Sequence, residues 1–142
     1  MKTRANNRLL YIFSPMLLAG LAIALMGCGE MAMAPKPELP VSVSPGWSQK
    51  SFAKAQPVAG LPAGVRAQCW KAEYEGSGAA EIWICGFNGE GSAFDAAQRY
   101  PAGADRVKFQ AGKYLAVVHW SGGSKADVTA LVRAIQKSLG AR

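Results

Sequence analysis

The amino-acid sequence predicts an α+β fold, a two-layer sandwich with the element order ββαββα. Its four strands are expected to form one antiparallel sheet that carries both helices on the same face. Three observations lead to this prediction: alternating apolar and polar residues in short segments, glycine-rich turns between those segments, and apolar stripes with helical spacing. The chain has 142 residues, a length that suits a single domain.

The first predicted unit begins with a hairpin. In the segment 65–75 apolar residues such as Trp70 and Ala72 alternate with polar ones, and the segment 80–87 has the same alternation. The Gly-Ser-Gly sequence at 76–78 supplies a tight turn between the two segments. Because strict alternation is typical of strands with one buried face, we predict two antiparallel strands here.

A short helix is expected after this hairpin. Ser92 with Asp95 resembles a capping box, in which the serine side chain accepts a hydrogen bond from a backbone N–H at the helix start. Pro101 follows Tyr100 and disfavours helical backbone at that residue. The sequence therefore predicts a helix that starts at Ser92 and stops at Tyr100.

The second predicted unit repeats the first. Segments 106–110 and 114–120 are expected to form a hairpin around the Ala-Gly sequence between them, and Ser124 with Asp127 is expected to cap a final helix. Gly140 is expected to end that helix at its C-terminus. Its apolar stripe, spaced for one helical face, consists of Val128, Leu131, Val132, Ile135 and Leu139.

The repetition of strand, turn, strand, Gly-Ser and helix predicts an internal duplication with pseudo-two-fold symmetry. The register of the second hairpin stays open: a three-residue loop directs Leu115 and Val117 inward, whereas a two-residue loop directs Tyr114, Ala116 and Val118 inward. The predicted core consists of Trp70, Ala72, Ile82, Ile84, Phe94, Val107, Phe109, Leu115, Val117, Val128, Leu131, Val132 and Ile135.

The N-terminus has the organisation of an export signal. Three basic residues and no acid precede an apolar run over residues 9–27, and Cys28 follows that run. The sequence Leu-Met-Gly-Cys at 25–28 resembles the lipobox of bacterial lipoproteins. That resemblance implies cleavage of residues 1–27 and a diacylglycerol, usually with an added N-acyl chain such as palmitate, on Cys28. An uncleaved membrane anchor and an export signal without lipid are the alternatives.

The same resemblance implies a location in the bacterial cell envelope. Two or three acyl chains give stable membrane attachment. Gly29, rather than aspartate, follows the cysteine, which favours the outer membrane, facing the periplasm, over the inner membrane. Removing the three basic residues of the leader from the 16 in the chain leaves 13 against nine acidic ones, or +4. This modest charge suits contact with anionic lipid or polysaccharide and gives little support for nucleic-acid binding.

Residues 28–64 are predicted to be a lipidated cysteine followed by a proline-rich tether, with the folded domain at 65–142. Six of the eight prolines lie in this segment, and proline disfavours helix at and before its own position. Such a tether would hold the domain tens of Å from the membrane. Trp47 and Phe52 do not suit a solvated tether, so the stretch around them either docks on the domain or is loose.

A disulfide is predicted between Cys69 and Cys85. A hairpin centred on Ser77 sets these two residues directly opposite each other, where paired Cα atoms lie within or near disulfide range. The exported compartment is often oxidising. Two free thiols are the alternative, while the absence of a Cys-x-x-Cys motif gives little support to a redox-active pair.

The sequence predicts no metal site, no cofactor and no catalytic activity. His119 is the only histidine, and a zinc site needs three or four ligands with fixed spacing. The serines best placed for nucleophilic chemistry, Ser92 and Ser124, are already assigned to helix caps. The glycine-rich stretches before the helices match neither a P-loop nor a dinucleotide fingerprint.

The open face of the predicted sheet is the candidate binding surface. If both helices cover the face of Ile82 and Ile84, the other face exposes aromatic and basic side chains, and a large exposed apolar patch is uncommon in monomers. A partner, the tether or a second copy of the chain would each explain such a face. The candidate residues are Lys71, Trp83, Arg106, Lys108 and Trp120.

The functional hypothesis is a small membrane-anchored envelope lipoprotein without catalytic activity, which resembles small bacterial lipoproteins as a class. Its domain would be an interaction or assembly module that uses the open sheet face to contact an envelope protein or an anionic envelope polymer. The alternative is a binding protein for a small hydrophobic or anionic ligand such as lipid, haem or glycan. A ligand-sized cavity between sheet and helices would favour the alternative.

Overall fold

The computed structural model describes residues 32–140. The predicted leader, the lipobox and Cys28 therefore lie outside the described residues. The elements are β1 (Ser42–Val43), β2 (Trp47–Ala55), β3 (Gln68–Glu75), β4 (Gly78–Gly86), α1 (Glu90–Arg99), β5 (Arg106–Ala111), β6 (Tyr114–Gly122) and α2 (Lys125–Ser138).

All six strands belong to one curved antiparallel sheet with the order β1-β2-β3-β4-β6-β5. The prediction of four strands is wrong, because the segment interpreted as a tether supplies β1 and β2. Strand β2 pairs with β3 along most of its length, which satisfies backbone groups that β3 would otherwise expose at a sheet edge. Trp47, at the start of β2, is 1% exposed.

The predicted pairing of the first hairpin is confirmed. Cys69 lies opposite Cys85 and Trp70 lies opposite Ile84. In the second hairpin Ala111 pairs with Tyr114, which selects the two-residue loop. Gly112, in that loop, has a φ of +54°, a backbone conformation that glycine adopts at little cost.

The two helices cover opposite faces of the sheet, which corrects the prediction that both lie on one face. Neighbouring residues of a strand point to opposite faces. Val118 and Ala116 of β6 belong to the core under α2, whereas Leu115 and Val117 belong to the core under α1. A two-fold axis relating the two hairpins would place both helices on one face, so the helix positions also exclude the predicted symmetry.

Each face of the sheet therefore has its own apolar core. The larger core lies under α2 and includes residues of the strands, among them Trp47 of β2. The smaller core lies under α1 and also receives Val58 from the connection between β2 and β3. Fully buried members of the two cores are, under α2, Ala72, Ile82, Ile84, Ala116, Val118, Leu131 and Ile135, and, under α1, Cys85, Phe87, Ala93, Ala96, Leu115 and Val117.

The helix caps only partly follow the prediction. Ser124 caps α2 as expected, with its hydroxyl accepting a hydrogen bond from the backbone N–H of Asp127 at 3.1 Å. Helix α1 instead begins at Glu90 after Gly89, so Ser92 is not its cap. In this helix Ala93 and Ala96 are buried against the sheet, whereas Phe94, predicted to be in the core, is 55% exposed.

The proline-rich segment before β1 packs on the domain. The N–H of Ala34 donates to the carbonyl of Phe87 at 2.9 Å. The Tyr114 hydroxyl donates to the carbonyl of Pro35 at 2.8 Å, and the Tyr74 hydroxyl donates to the carbonyl of Pro40 at 2.6 Å. These hydrogen bonds attach residues 34–40 to the sheet.

Among residues 32–140, no helix is both long and apolar enough to cross a membrane.

Candidate functional site

A groove of about 550 Å³ lies between α2 and the β5–β6 side of the sheet. We call it the α2 groove. Its apolar wall combines strand residues Val107 and Trp120 with helix residues Val128 and Val132. The remaining lining residues are Gly123, Lys125, Thr129, Arg133 and Gln136.

The groove forms because the packing of α2 loosens toward the sheet edge. Leu131 and Ile135 of α2 are fully buried against the middle of the sheet. Val132, on the side of the same helix, is only half-buried, and so are Val107 of the edge strand and Trp120. Apolar surface on both walls therefore stays partly accessible instead of closing into the core.

The rim of the α2 groove is cationic. Lys125 and Arg133 line it together with two neutral polar residues, and none of its lining residues is a carboxylate. Long basic side chains lay their aliphatic stems along apolar surface while their charged heads reach water. The arrangement suits a molecule with an apolar body and an anionic head, and the volume falls within the roughly 300–1,000 Å³ of small-molecule sites.

The lining of the groove contains one hydroxyl group, that of Thr129. The Thr129 hydroxyl donates to the backbone carbonyl of Lys125 at 2.7 Å, so its proton is engaged within the helix. Within residues 32–140, no group of three or more histidine, cysteine, aspartate or glutamate side chains is arranged to hold a metal ion. No catalytic arrangement of the kind that pairs a nucleophile with a base is present among the groove residues.

A second surface lies on the opposite face of the sheet, beside α1. Lys71 of β3 is central to it, with its Nζ 2.6 Å from Glu81 Oε1 and 3.2 Å from Glu73 Oε1. The hydrogen bond to Glu81 is the largest cause that raises the pKa of Lys71. The hydrogen bond from Lys71 likewise lowers the pKa of Glu73. One ammonium between two carboxylates leaves this cluster with a net negative charge.

The aromatic part of this second surface is also internally engaged. The Lys71 ammonium lies 4.9 Å from the centre of the Trp83 ring. The rings of Trp83 and His119 meet edge to face with centroids 5.6 Å apart. Trp83 is half-buried and packs against the core under α1. We call the surface formed by Lys71, Glu73, Glu81, Trp83 and His119 the β-face patch.

The predicted binding residues are divided between the two faces. Lys71, Trp83, Arg106 and Lys108 lie on the α1 face, as the strand pairing requires. Trp120 lies on the opposite face, where it packs with the core under α2 and lines the α2 groove. The structure therefore does not form the predicted five-residue face, because the two sheet faces are separated by the sheet itself.

Lys108 has a structural contact that the sequence did not predict. Its ammonium donates to the carbonyl of Ala97 at 2.7 Å and to the carbonyl of Tyr100. These carbonyls belong to the last turn and C-cap of α1, where a helix end has unpaired acceptors and a partial negative charge. Arg106 is paired with its neighbour, its Nε lying 3.4 Å from Asp105 Oδ1.

The predicted disulfide is confirmed. The sulfur atoms of Cys69 and Cys85 lie 2.04 Å apart across β3 and β4. Both cysteines are buried in the core under α1. The bond connects two strands that are already paired and leaves no free thiol among the described residues.

The polar groove residues of α2 were missed in the sequence, although their spacing is a usable signal. Lys125, Thr129, Arg133 and Gln136 recur at intervals of three or four residues and so share one side of the helix. That side adjoins the predicted apolar stripe. A basic row beside an apolar row does not reveal a groove, however, because a solvated helix has the same pattern.

Comparison of this chain with protein-family models, with curated proteins and with solved structures found no match.

Proposed function

We propose that this chain is a membrane-anchored lipoprotein of the bacterial cell envelope whose domain binds a small amphipathic anion in the α2 groove. One observation carries the binding proposal: a ligand-sized groove that combines an apolar wall with a cationic rim. The ligand class is a molecule with a carboxylate, phosphate or sulfate head and an apolar body. The activity is binding, without chemical conversion of the ligand.

The two parts of the ligand have separate partners. The planar guanidinium of Arg133 can donate two parallel hydrogen bonds to a carboxylate or phosphate, and the Lys125 ammonium adds a second positive charge. The half-buried Trp120 and Val107 offer apolar surface to the body of the ligand. Removing that surface from water favours binding by about 25 cal/mol per Å² before association costs.

The envelope location is part of the proposal and has two supports. The sequence at 25–28 resembles a lipobox, which makes Cys28 the site of lipid attachment and implies removal of residues 1–27. The Cys69–Cys85 disulfide is typical of an oxidising compartment such as the periplasm. We place the protein at the outer membrane, facing the periplasm, because glycine follows Cys28.

Titration calorimetry with three probes that share a ten-carbon chain tests the binding proposal. We expect the purified full chain to bind decanoate and not to bind decanol or decyltrimethylammonium with comparable affinity. Arg133→Gln should weaken decanoate binding about tenfold, as expected for the loss of a charge-assisted hydrogen bond. The matched control is Lys137→Gln, which removes a cation from α2 outside the groove and should leave binding unchanged.

Two results would overturn this binding proposal. One is equal affinity for the anionic, neutral and cationic probes, which would mean that the rim does not recognise charge. The other is equal weakening by Arg133→Gln and Lys137→Gln, which would mean that the helix acts only through its overall charge.

The β-face patch supports a second candidate function, contact with an envelope protein. The observation that favours it is the partly exposed Trp83 beside Lys71 and His119 on a part of the sheet that α1 does not bury. A crosslinking pull-down from native envelopes compares the wild type with Trp83→Ala. Equal recovery of the same partners from both would remove this candidate.

A further inference from the structure

The proposed lipid anchor and the folded domain are separated by a very short segment. Ala34 is 2% exposed, and its N–H bonds to Phe87, so the fold begins at this residue. Five residues, 29–33, lie between Cys28 and Ala34. Whatever their conformation, a connection of this length spans at most about 20 Å, since each residue extends the chain by no more than about 3.6 Å.

This connection reaches one particular end of the sheet. Ala34 binds Phe87, which follows β4, and Pro35 binds the hydroxyl of Tyr114, which begins β6. Strand β2 ends and strand β3 begins at this same end of the sheet, because Ala55 is paired with Cys69. We call this end of the sheet the proximal end, and the end with the β3–β4 turn the distal end.

The charged side chains are unevenly divided between these two ends. Among the described residues, the exposed cations at or next to the proximal end outnumber the single carboxylate there, Glu90 at the start of α1. The carboxylates concentrate toward the distal half, where cations accompany most of them: Lys50 pairs with Glu75, Lys71 with Glu73 and Glu81, and Arg106 with Asp105. The proximal cations are Lys36, Lys54, Arg66 and Lys113, and the distal carboxylates are Glu73, Glu75, Glu81, Asp105 and Asp127.

We propose that the proximal end lies against anionic lipid headgroups of the membrane that holds Cys28. This inference rests on the lipid anchor of the proposed function and does not depend on the α2 groove. The short connection lets Lys54 and Lys113 come within one Debye length of the bilayer, about 8 Å at physiological salt, which is the range over which a negative surface potential attracts basic side chains. The anchor and the cations act together, since the anchor supplies a high effective concentration.

The charge distribution also orients the domain. Most of the distal carboxylates are paired with cations, so the distal end offers the membrane no excess of positive charge, whereas the proximal end does. Lys125 and Trp120, which line the α2 groove, lie toward the distal end, because Trp120 pairs with Ala80 next to the β3–β4 turn. The mouth of the groove at Lys125 therefore faces away from the membrane that carries the domain.

Amine labelling of the full lipidated chain in vesicles tests this inference. The protein is reconstituted in phosphatidylcholine alone, or in phosphatidylcholine mixed with phosphatidylglycerol, and the labelling rate of each lysine is followed by mass spectrometry. We expect Lys54 and Lys113 to react about threefold more slowly on the anionic vesicles. The internal controls are Lys50 and Lys125, exposed lysines toward the distal end, whose rates should not change. Added salt should abolish the protection.

The possible results separate this inference from the proposed function. Equal rates for Lys113 on both kinds of vesicle, with acylation of Cys28 established by intact mass, overturn the membrane contact and leave the anchor standing. Uniform slowing of all four lysines overturns the proposed orientation. An unacylated Cys28 overturns the anchor and this inference together, whereas failure of decanoate binding affects only the groove.

Discussion

Replacing Lys108 with methionine tests whether this lysine holds the C-terminal end of α1. The ammonium donates to two carbonyls of that end, those of Ala97 and Tyr100. Methionine keeps an unbranched side chain of similar length for packing while removing the charge and both hydrogen bonds. A loss of stability in Lys108→Met therefore reports on the polar contacts rather than on lost apolar volume.

The expected effect follows from the number and kind of contacts. A hydrogen bond to a charged group contributes about 1.5–3 kcal/mol, and a cation at a helix C-terminus contributes about 0.3–1 kcal/mol, or up to about 2 when partly buried. These contributions overlap, and Lys108 is only half-buried. We therefore expect a loss of about 2 kcal/mol, or a fall in Tm of about 8 °C for a domain of this size.

Urea unfolding and thermal melts of the purified protein measure this loss. Lys113→Met is the matched control, since Lys113 is an exposed lysine in the β5–β6 turn, and it should change stability by less than about 0.5 kcal/mol. Equal stability of Lys108→Met and Lys113→Met would refute the proposed contact. Retained decanoate binding in Lys108→Met would further separate this residue from ligand recognition.

Three further predictions address the disulfide, the indole hydrogen bond of Trp47 and the carboxylate of Asp127. Cys69→Ala/Cys85→Ala should lose about 3 kcal/mol in urea unfolding through loss of a cross-link between residues 16 apart; wild-type stability under reductant as well as oxidant would contradict this. Trp47→Phe removes the indole hydrogen bond to the carbonyl of Asp127 at 3.0 Å and should cost about 1–2 kcal/mol in the same assay, whereas an unchanged midpoint would show that water replaces it. Hydrogen bonds from Ser77, and next from Ser124, are the largest causes that lower the pKa of Asp127 below its ordinary 3.8. The ionised carboxylate therefore stabilises the fold above pH 3.8, and this contribution is lost as the pH falls through the lower pKa of the folded state. Asp127→Asn should therefore lower Tm at neutral pH and progressively less on acidification, and a Tm difference independent of pH would refute the assignment.

Features with local causes could be predicted from the sequence. The turn at 76–78 and the alternation around it set the register of the first hairpin, and that register alone places Cys69 opposite Cys85. Ser124 caps α2 because the side chain and the N–H it accepts from are only three residues apart. Each of these depends on residues close in the chain, so a short stretch of sequence contains the whole physical cause.

The face that each helix covers could not be obtained in this way. Residues 115–118 form an unbroken apolar run, which indicates a strand buried on both faces. This apolar run is visible in the sequence, and it contradicts a sheet with one face exposed to solvent. It does not say which helix covers which face, because that choice depends on how α1 crosses from β4 to β5.

The sequence by itself determined the apolar alternation, the turns, the disulfide partners and the cap of α2, because these arise between residues that are near neighbours or directly paired across one turn. Only the tertiary structure decided that Trp47 would join the sheet and contact Asp127, 80 residues away. It also decided that Lys108 would cap a helix and that Trp120 would line a groove with α2. Such roles depend on which distant surfaces meet when apolar area is buried, and many sequences with the same pattern of residues would bring different surfaces together.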